Sequence, residues 1–169
     1  MYMKRSTRAA AILLTILGCV GCDQSTKSVA RDYLPQGTPI SLFNDLVRLQ
    51  HTENRGAFLS LGDGLSNNAR RALFTFGGAL LVIGAALWAL RSRHLSSAQV
   101  LGAGLVSGGG LSNLIDRVTQ DGSVTDFLNI GMGPVRTGIF NCADMALMLG
   151  IAMLILGNSV ATRLRAPQR

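Results

Sequence analysis

Ile139-Phe140-Asn141-Cys142-Ala143-Asp144-Met145-Ala146-Leu147-Met148-Leu149-Gly150-Ile151-Ala152-Met153-Leu154-Ile155-Leu156-Gly157 runs for 19 residues with a single charge, Asp144. A bilayer core of about 30 Å needs about 20 helical residues, so this stretch reads as a membrane span. If the helix opens at Ile139, Asp144 lies roughly 7 Å inside it, at about 1.5 Å per residue. An ionisable side chain at that depth is expensive and reads as functional. A structural alternative is an ion pair between Asp144 and Arg117 or Lys27.

Working back toward the N-terminus, Ala98–Ile115 gives 18 residues without a charge and Ala72–Leu90 gives 19. Ala9–Cys22 gives 14 and completes a span only with its polar tail, to Ala30. The chain is 48% hydrophobic and 15% charged, against roughly 25% charged in an ordinary soluble domain. One domain is the default at 169 residues. The expectation is a single polytopic membrane domain over 1–169, with spans at about 9–30, 72–90, 98–116 and 139–157. The net charge of +7 does not indicate nucleic acid, because the basic residues flank apolar segments and form no stripe with aromatics.

Those basic residues set the orientation. Lys4, Arg5, Arg8, Arg91, Arg93, Arg163, Arg165 and Arg169 supply half of the 16 Lys and Arg in short stretches without an acid. The positive-inside rule then places both termini in the cytoplasm. Residues 31–71 and 116–138 face outward, and all nine acids lie in or near those regions.

The outer region begins at a Pro35, Gly37 and Pro39 turn. Leu46–His51 alternates partly at period two and reads as a strand. Thr52–Gly56 reads as a turn, Ala57–Leu61 as a returning strand and Gly62-Asp63-Gly64 as its end, giving an outer β region of about 38–62. A short interfacial helix is expected over Ser66–Arg71. The fold class is thus an all-α membrane protein: four transmembrane helices, a small extracytoplasmic β-sheet and a short interfacial helix. In the third span, Gly102, Gly104 and Gly108-Gly109-Gly110 lack the strand and Lys-Ser/Thr of a phosphate loop. Small residues there let helix backbones approach closely.

Two features at the N-terminus need weighing. Ile16-Leu17-Gly18-Cys19 resembles a site of lipid attachment and cleavage, with Cys22 a second candidate. Three further spans and the i,i+4 pair Asp23–Lys27 favour a retained helix. Cys19-Val20-Gly21-Cys22 is formally C-x-x-C, but His51 and His94 fall on opposite sides of the membrane, and small helix residues are the better reading.

Asp126 lies between apolar neighbours in a short outer segment, and it and Asp144 reach the same interface. Two carboxylates in a dry site resist joint ionisation and share one proton. Such a pair can take a proton from water and give one to a leaving amine. No serine, cysteine or histidine arrangement competes as a nucleophile, and G-x-S-x-G is absent. A small transporter with Asp144 as a proton relay is the rival class. It needs polar residues through the full depth, and the second span offers only Thr75. A lipid-anchored protein processed at Cys19 or Cys22 is the third class.

Five polar clusters, in order, resemble those of the bacterial lipoprotein signal peptidases, or type II signal peptidases. They are Asp23-Gln24-Ser25-Thr26-Lys27, Asn54-Arg55-Gly56-Ala57-Phe58, Gly109–Arg117, Gly122-Ser123-Val124-Thr125-Asp126-Phe127 and Phe140-Asn141-Cys142-Ala143-Asp144. The resemblance covers nearly the whole chain. It implies an aspartic endopeptidase of the bacterial inner membrane with Asp126 and Asp144 as catalysts. It implies that Asp23, Lys27, Asn54, Gly56, Asn113, Arg117 and Asn141 line or brace the site, with Asp116 bracing Arg117. The implied substrate is a prolipoprotein whose cysteine already carries diacylglycerol, cut just before that cysteine without metal or cofactor. The implied partners are membrane lipid and globomycin-like peptide inhibitors, and no oligomer is implied. Thr125 departs from a commonly aliphatic position and adds a hydrogen-bonding group beside the pair. Gly18–Cys22 is smaller than usual in such enzymes.

Overall fold

The computed structural model describes residues 3–56, 66–92 and 94–163. Four long helices and a small sheet make up the described residues. In order they are α1 (Arg5–Tyr33), β1 (Ile40–Leu42), β2 (Val47–Asn54), α2 (Asn67–Arg91), α3 (Ser97–Thr119), β3 (Val124–Met132), β4 (Val135–Arg136) and α4 (Cys142–Arg163). Two helices, α1 and residues Asn68–Arg91 of α2, are long and apolar enough to cross a membrane. In α4 the described apolar stretch is shorter, Cys142–Gly157. Leu14, Leu17, Phe76, Leu80, Leu81, Met148 and Ile155 point outward from these helices. Large apolar side chains in continuous outward bands are what a lipid-facing surface requires.

The small-residue helix α3 is the hub and packs against α1, α2 and α4. Its glycines make this possible. A Cβ on Gly109 would come within 2.5 Å of the Ala143 carbonyl oxygen, and one on Gly102 within 2.8 Å of the Gly150 carbonyl oxygen. The close approach expected from the glycine run is therefore present, and it draws the C-terminal half of α3 against the start of α4.

The sheet is antiparallel in the order β1-β2-β3-β4. The strand expected at Leu46–His51 is β2, but it continues through Thr52 to Asn54 instead of turning there. Its main partner is β3, with Thr52 opposite Asp126 and Asn54 opposite Val124. An irregularity between Leu49 and Thr52 shifts the register, as a bulge does when it re-aims side chains. The expected returning strand at Ala57–Leu61 and its end at Gly62–Gly64 lie outside the described residues. The segment around Asp126 is thus a full strand, paired with a partner some seventy residues upstream, which local patterning does not reveal.

Two further expectations change. Ser66–Arg71 is not a separate interfacial helix. Ser66 caps α2 by accepting a hydrogen bond from the Ala69 amide, and Asn67–Arg71 form the opening turns of one continuous helix. Nothing between them and the rest of α2 breaks the backbone ladder. Helix α4 begins at Cys142, not at Ile139. Phe140 is held extended by an antiparallel bridge to Leu128 of β3, with both amide–carbonyl bonds formed at 2.9 Å. Asp144 therefore sits in the first turn of α4 rather than deep inside it.

Candidate active site

The site lies where the C-terminal halves of α1 and α3 and the N-terminal end of α4 meet β2 and β3. Its centre is Asn141, the N-cap of α4. The Asn141 Oδ1 accepts from the Asp144 amide at 2.9 Å, and Asp144 Oδ2 accepts from the Asn141 amide at 3.2 Å. This reciprocal pair is a capping box, with the acid at the third helical position. The Asn141 Nδ2 amide then donates to Asp126 Oδ1 at 2.7 Å. One residue thus ties both carboxylates together, its side-chain amide donating to Asp126 on the strand and its backbone amide to Asp144 at the helix start.

Each carboxylate has a second amide donor. Asn54 Nδ2 donates to Asp126 Oδ2 at 2.9 Å, and Asn113 Nδ2 donates to Asp144 Oδ1 at 2.9 Å. Asn54 reaches Asp126 because β2 and β3 are paired, and Asn113 reaches Asp144 because Gly109, one turn earlier, lets α3 touch α4. Asp126 is 2% exposed. Burial, reinforced by the neighbouring Asp144, pushes its carboxyl up to about 7 despite the lowering effect of the Asn54 and Asn141 hydrogen bonds and of Lys27.

Behind the pair lies a buried ionic cluster. Lys27 has no exposed surface and spends its three donors on Asp23 Oδ2 at 2.7 Å, Asp116 Oδ2 at 2.9 Å and Asn113 Oδ1 at 2.8 Å. The i,i+4 pairing of Asp23 with Lys27 is as expected. Asp23 also accepts from Ser112 Oγ at 2.7 Å and from the Ala143 amide at 2.8 Å, which joins α1 to the first turn of α4. Asp116 accepts from Gln24 Nε2 at 2.9 Å and from the Thr125 amide at 3.1 Å, which fixes β3 one residue before Asp126.

Some roles differ from expectation. Asp116 makes no hydrogen bond or ion pair with the Arg117 side chain among the described residues, because successive helical residues point in different directions and Asp116 faces Lys27. Arg117 instead donates to the carbonyls of Gly122 and Gly56, each at 3.0 Å, and its guanidinium lies 5.3 Å from the centre of the Phe74 ring. It ties together α3, the turn before β3 and the end of β2. Asp144 makes no ion pair with Lys27 or Arg117 among the described residues. Thr125 turns its hydroxyl away from the pair, toward Arg31 at 3.1 Å and Gln120 at 3.0 Å. Its contribution to the centre is a carbonyl that accepts from Asn141 at 3.3 Å. Gln24 and Ser112 lie inside the quoted motifs without an assigned role, and both prove to be partners of the buried cluster. Their adjacency to Asp23 and Asn113 is the only sequence signal for them.

The match to known proteins follows this geometry. The signal peptidase (SPase) II family model matches residues 15–159. The chain belongs to the signal peptidase II family. It is therefore an enzyme, an endopeptidase of the aspartic class. A lipoprotein signal peptidase of Treponema denticola is 34% identical over 86% of this chain and 88% of its own length. A lipoprotein signal peptidase of Streptococcus pneumoniae is 34% identical over 91% and 94%. A solved bacterial membrane enzyme superposes with a TM-score of 0.81 at 22% identity, covering 95% of this chain and 94% of that one. The family carries the expected function class, and the fold is that of a membrane enzyme.

Proposed function

We propose that this family member removes the signal peptide from diacylglyceryl-modified prolipoproteins, using Asp126 and Asp144 to activate water. The observation that carries the reading is the Asn141-centred pair. Two carboxylates from different elements share one linker, each has a further amide donor, and burial holds Asp126 near neutrality. Asp126 holds the shared proton and hydrogen-bonds the scissile carbonyl. Asp144 takes a proton from the attacking water. The tetrahedral intermediate then collapses as Asp126 gives its proton to the departing amine. The proton taken by Asp144 returns to the pair, which titrates as a unit. Lys27 lowers the proton affinity of Asp126 and holds Asn113, which positions Asp144. Asp23, Asp116, Asn54, Gly56, Arg117 and Asn141 hold the two carboxylates in register.

The same reading gives the topology. All four helices span the bacterial inner membrane as one domain, with both termini cytoplasmic and the sheet outside. The distribution of charge supports this: the basic flanks gather at one end of the helices and the site's acids at the other. A lipid-anchored substrate then keeps its acyl chains in the bilayer while the bond before its cysteine reaches the pair. Sensitivity to globomycin-like peptides belongs to the same reading.

The test is cleavage of a diacylglyceryl-modified precursor by the purified full chain. Asp126→Asn and Asp144→Asn are each expected to lower turnover by at least about 100-fold, the lower range of general acid–base contributions. Both variants should still insert and fold. Near-normal turnover in either folded variant overturns the assignment.

A further inference from the structure

We propose a phosphate-anion site at the end of the molecule opposite the carboxylate pair, floored by Arg8 and rimmed by Arg5 and Arg91. A cavity of about 410 Å³ lies there, lined by Met3, Arg5, Arg8, Leu90 and Arg91. Arg8 is only 6% exposed. Its Nη2 donates to the Leu90 carbonyl at 2.8 Å and its Nη1 to the Ser92 carbonyl. These bonds cap the C-terminal end of α2, but both acceptors are neutral. Its Nε is buried and has no partner among the described residues. An arginine is always charged and presents five donors in a planar fork, so a buried guanidinium with a free N–H calls for an acceptor.

Among the described residues the surroundings supply no carboxylate. None of Arg5, Arg8 and Arg91 makes an ion pair among the described residues. In the sequence the nearest acid to Arg8 is Asp23, which belongs to the buried cluster at the other end of α1. The start of α1 adds to the field. Its N-cap, Lys4, makes no side-chain capping bond, and its first turn has no acid, so unpaired amides and the positive end of a 29-residue helix face the same region. The C-terminal end of α2 offsets part of the Arg8 charge through its carbonyls. Arg5 and Arg91, both exposed, have no counter-charge among the described residues. Three guanidiniums around one cavity match a tetrahedral oxyanion bearing a single or double negative charge.

Two sources present that chemistry: the phosphodiester of an anionic lipid headgroup and free phosphate. The position, at the basic end of membrane-length helices, suits the first, with the headgroup phosphate in the cavity and the acyl chains along α1 and α2. The site is independent of the peptidase mechanism, and its test does not use cleavage.

The experiment uses the full chain, purified and delipidated in a neutral detergent, with phosphatidylglycerol, phosphatidylcholine and inorganic phosphate as probes. Bound lipid is counted by native mass spectrometry and affinity follows from titration. The wild type is expected to retain phosphatidylglycerol in preference to phosphatidylcholine. Arg5→Gln combined with Arg91→Gln, which leaves buried Arg8 in place, is expected to weaken that binding by about 10-fold or more, as loss of charge-assisted contacts does. Arg48→Gln combined with Arg55→Gln removes the same charge at the other end and should leave binding unchanged. Displacement of the lipid by millimolar phosphate supports the site with free phosphate as an additional ligand. Failure to displace supports it with the lipid headgroup as ligand. Equal retention of both lipids, or equal weakening in the two double variants, overturns the proposal.

Discussion

Asp126 is held by Asn54 on one oxygen and Asn141 on the other, so its proton affinity depends on neighbours that can be removed singly. Burial dominates and raises its carboxyl to about 7, while the Asn54 hydrogen bond pulls it down. Activity that needs a proton on Asp126 is therefore present below pH about 7 and falls as pH rises through that value. The kcat/KM profile should show an alkaline limb near pH 7, belonging to the coupled pair rather than to one residue. Asn54→Ala removes a bond that favours the ionised form, so the limb should move to higher pH while the maximum rate drops. A limb that stays in place separates Asn54 from the titration. At this scale the two aspartates were legible because each is an acid among apolar neighbours. The partners of Asp116 were not, because a side chain's direction on a helix depends on what faces it. Lys27, four residues from Asp23 on another helix, outcompetes the adjacent Arg117.

The helices show how small residues set geometry. Asn113 meets Asp144 only because Gly109 allows α3 to lie against the Ala143 carbonyl, with 2.5 Å left for any added Cβ. Gly109→Ala places a methyl group against backbone that cannot rotate aside, so α3 and α4 must separate. A loss of about 1–3 kcal/mol of stability is expected, the usual range for overpacking. Thermal unfolding in detergent would read this as a lower midpoint, and turnover should fall with it as Asn113 withdraws. Gly77→Ala, where a Cβ meets nothing within 4 Å, is the matched control. The helical elements and their small-residue contacts were readable from apolar length and glycine spacing. The start of α4 was not, since the sequence Ile139-Phe140 continues the apolar run and only its pairing with β3 keeps it out of the helix. The strand β3 was hidden for the same reason: its pairing with β2 is made across the whole of α2 and α3.

Across the whole molecule, one buried lysine joins what the chain separates. Lys27 on α1 holds Asp116 and Asn113 on α3, and the acids around it reach the start of α4 and the backbone of β3. Lys27→Met leaves Asp23 and Asp116 buried without a counter-charge, and a loss of roughly 3–5 kcal/mol is expected, as when one partner of a buried pair is removed. Adding Asp23→Asn and Asp116→Asn to Lys27→Met should recover part of that stability in denaturant titrations without restoring turnover. No recovery would mean that the lysine acts by shape alone. The separation of basic from acidic segments was readable from the chain, because the two kinds of residue cluster along it. The way the acids divide between one cation and one another was not, because it is a property of three helices meeting.

The position of Asn141 and Asp144 on the last helix bears on when the enzyme becomes active. Chains are made from the N-terminus, and structure forms as segments emerge. A nascent chain that ends before Asn141 already contains Lys27, Asp116, Asn113 and Asp126. It lacks the linker and the second carboxylate, and Asp126 has lost its donor from Asn141. The pair is therefore completed only once α4 has been made, and under the proposed mechanism a chain that stops before Asn141 has no hydrolytic centre.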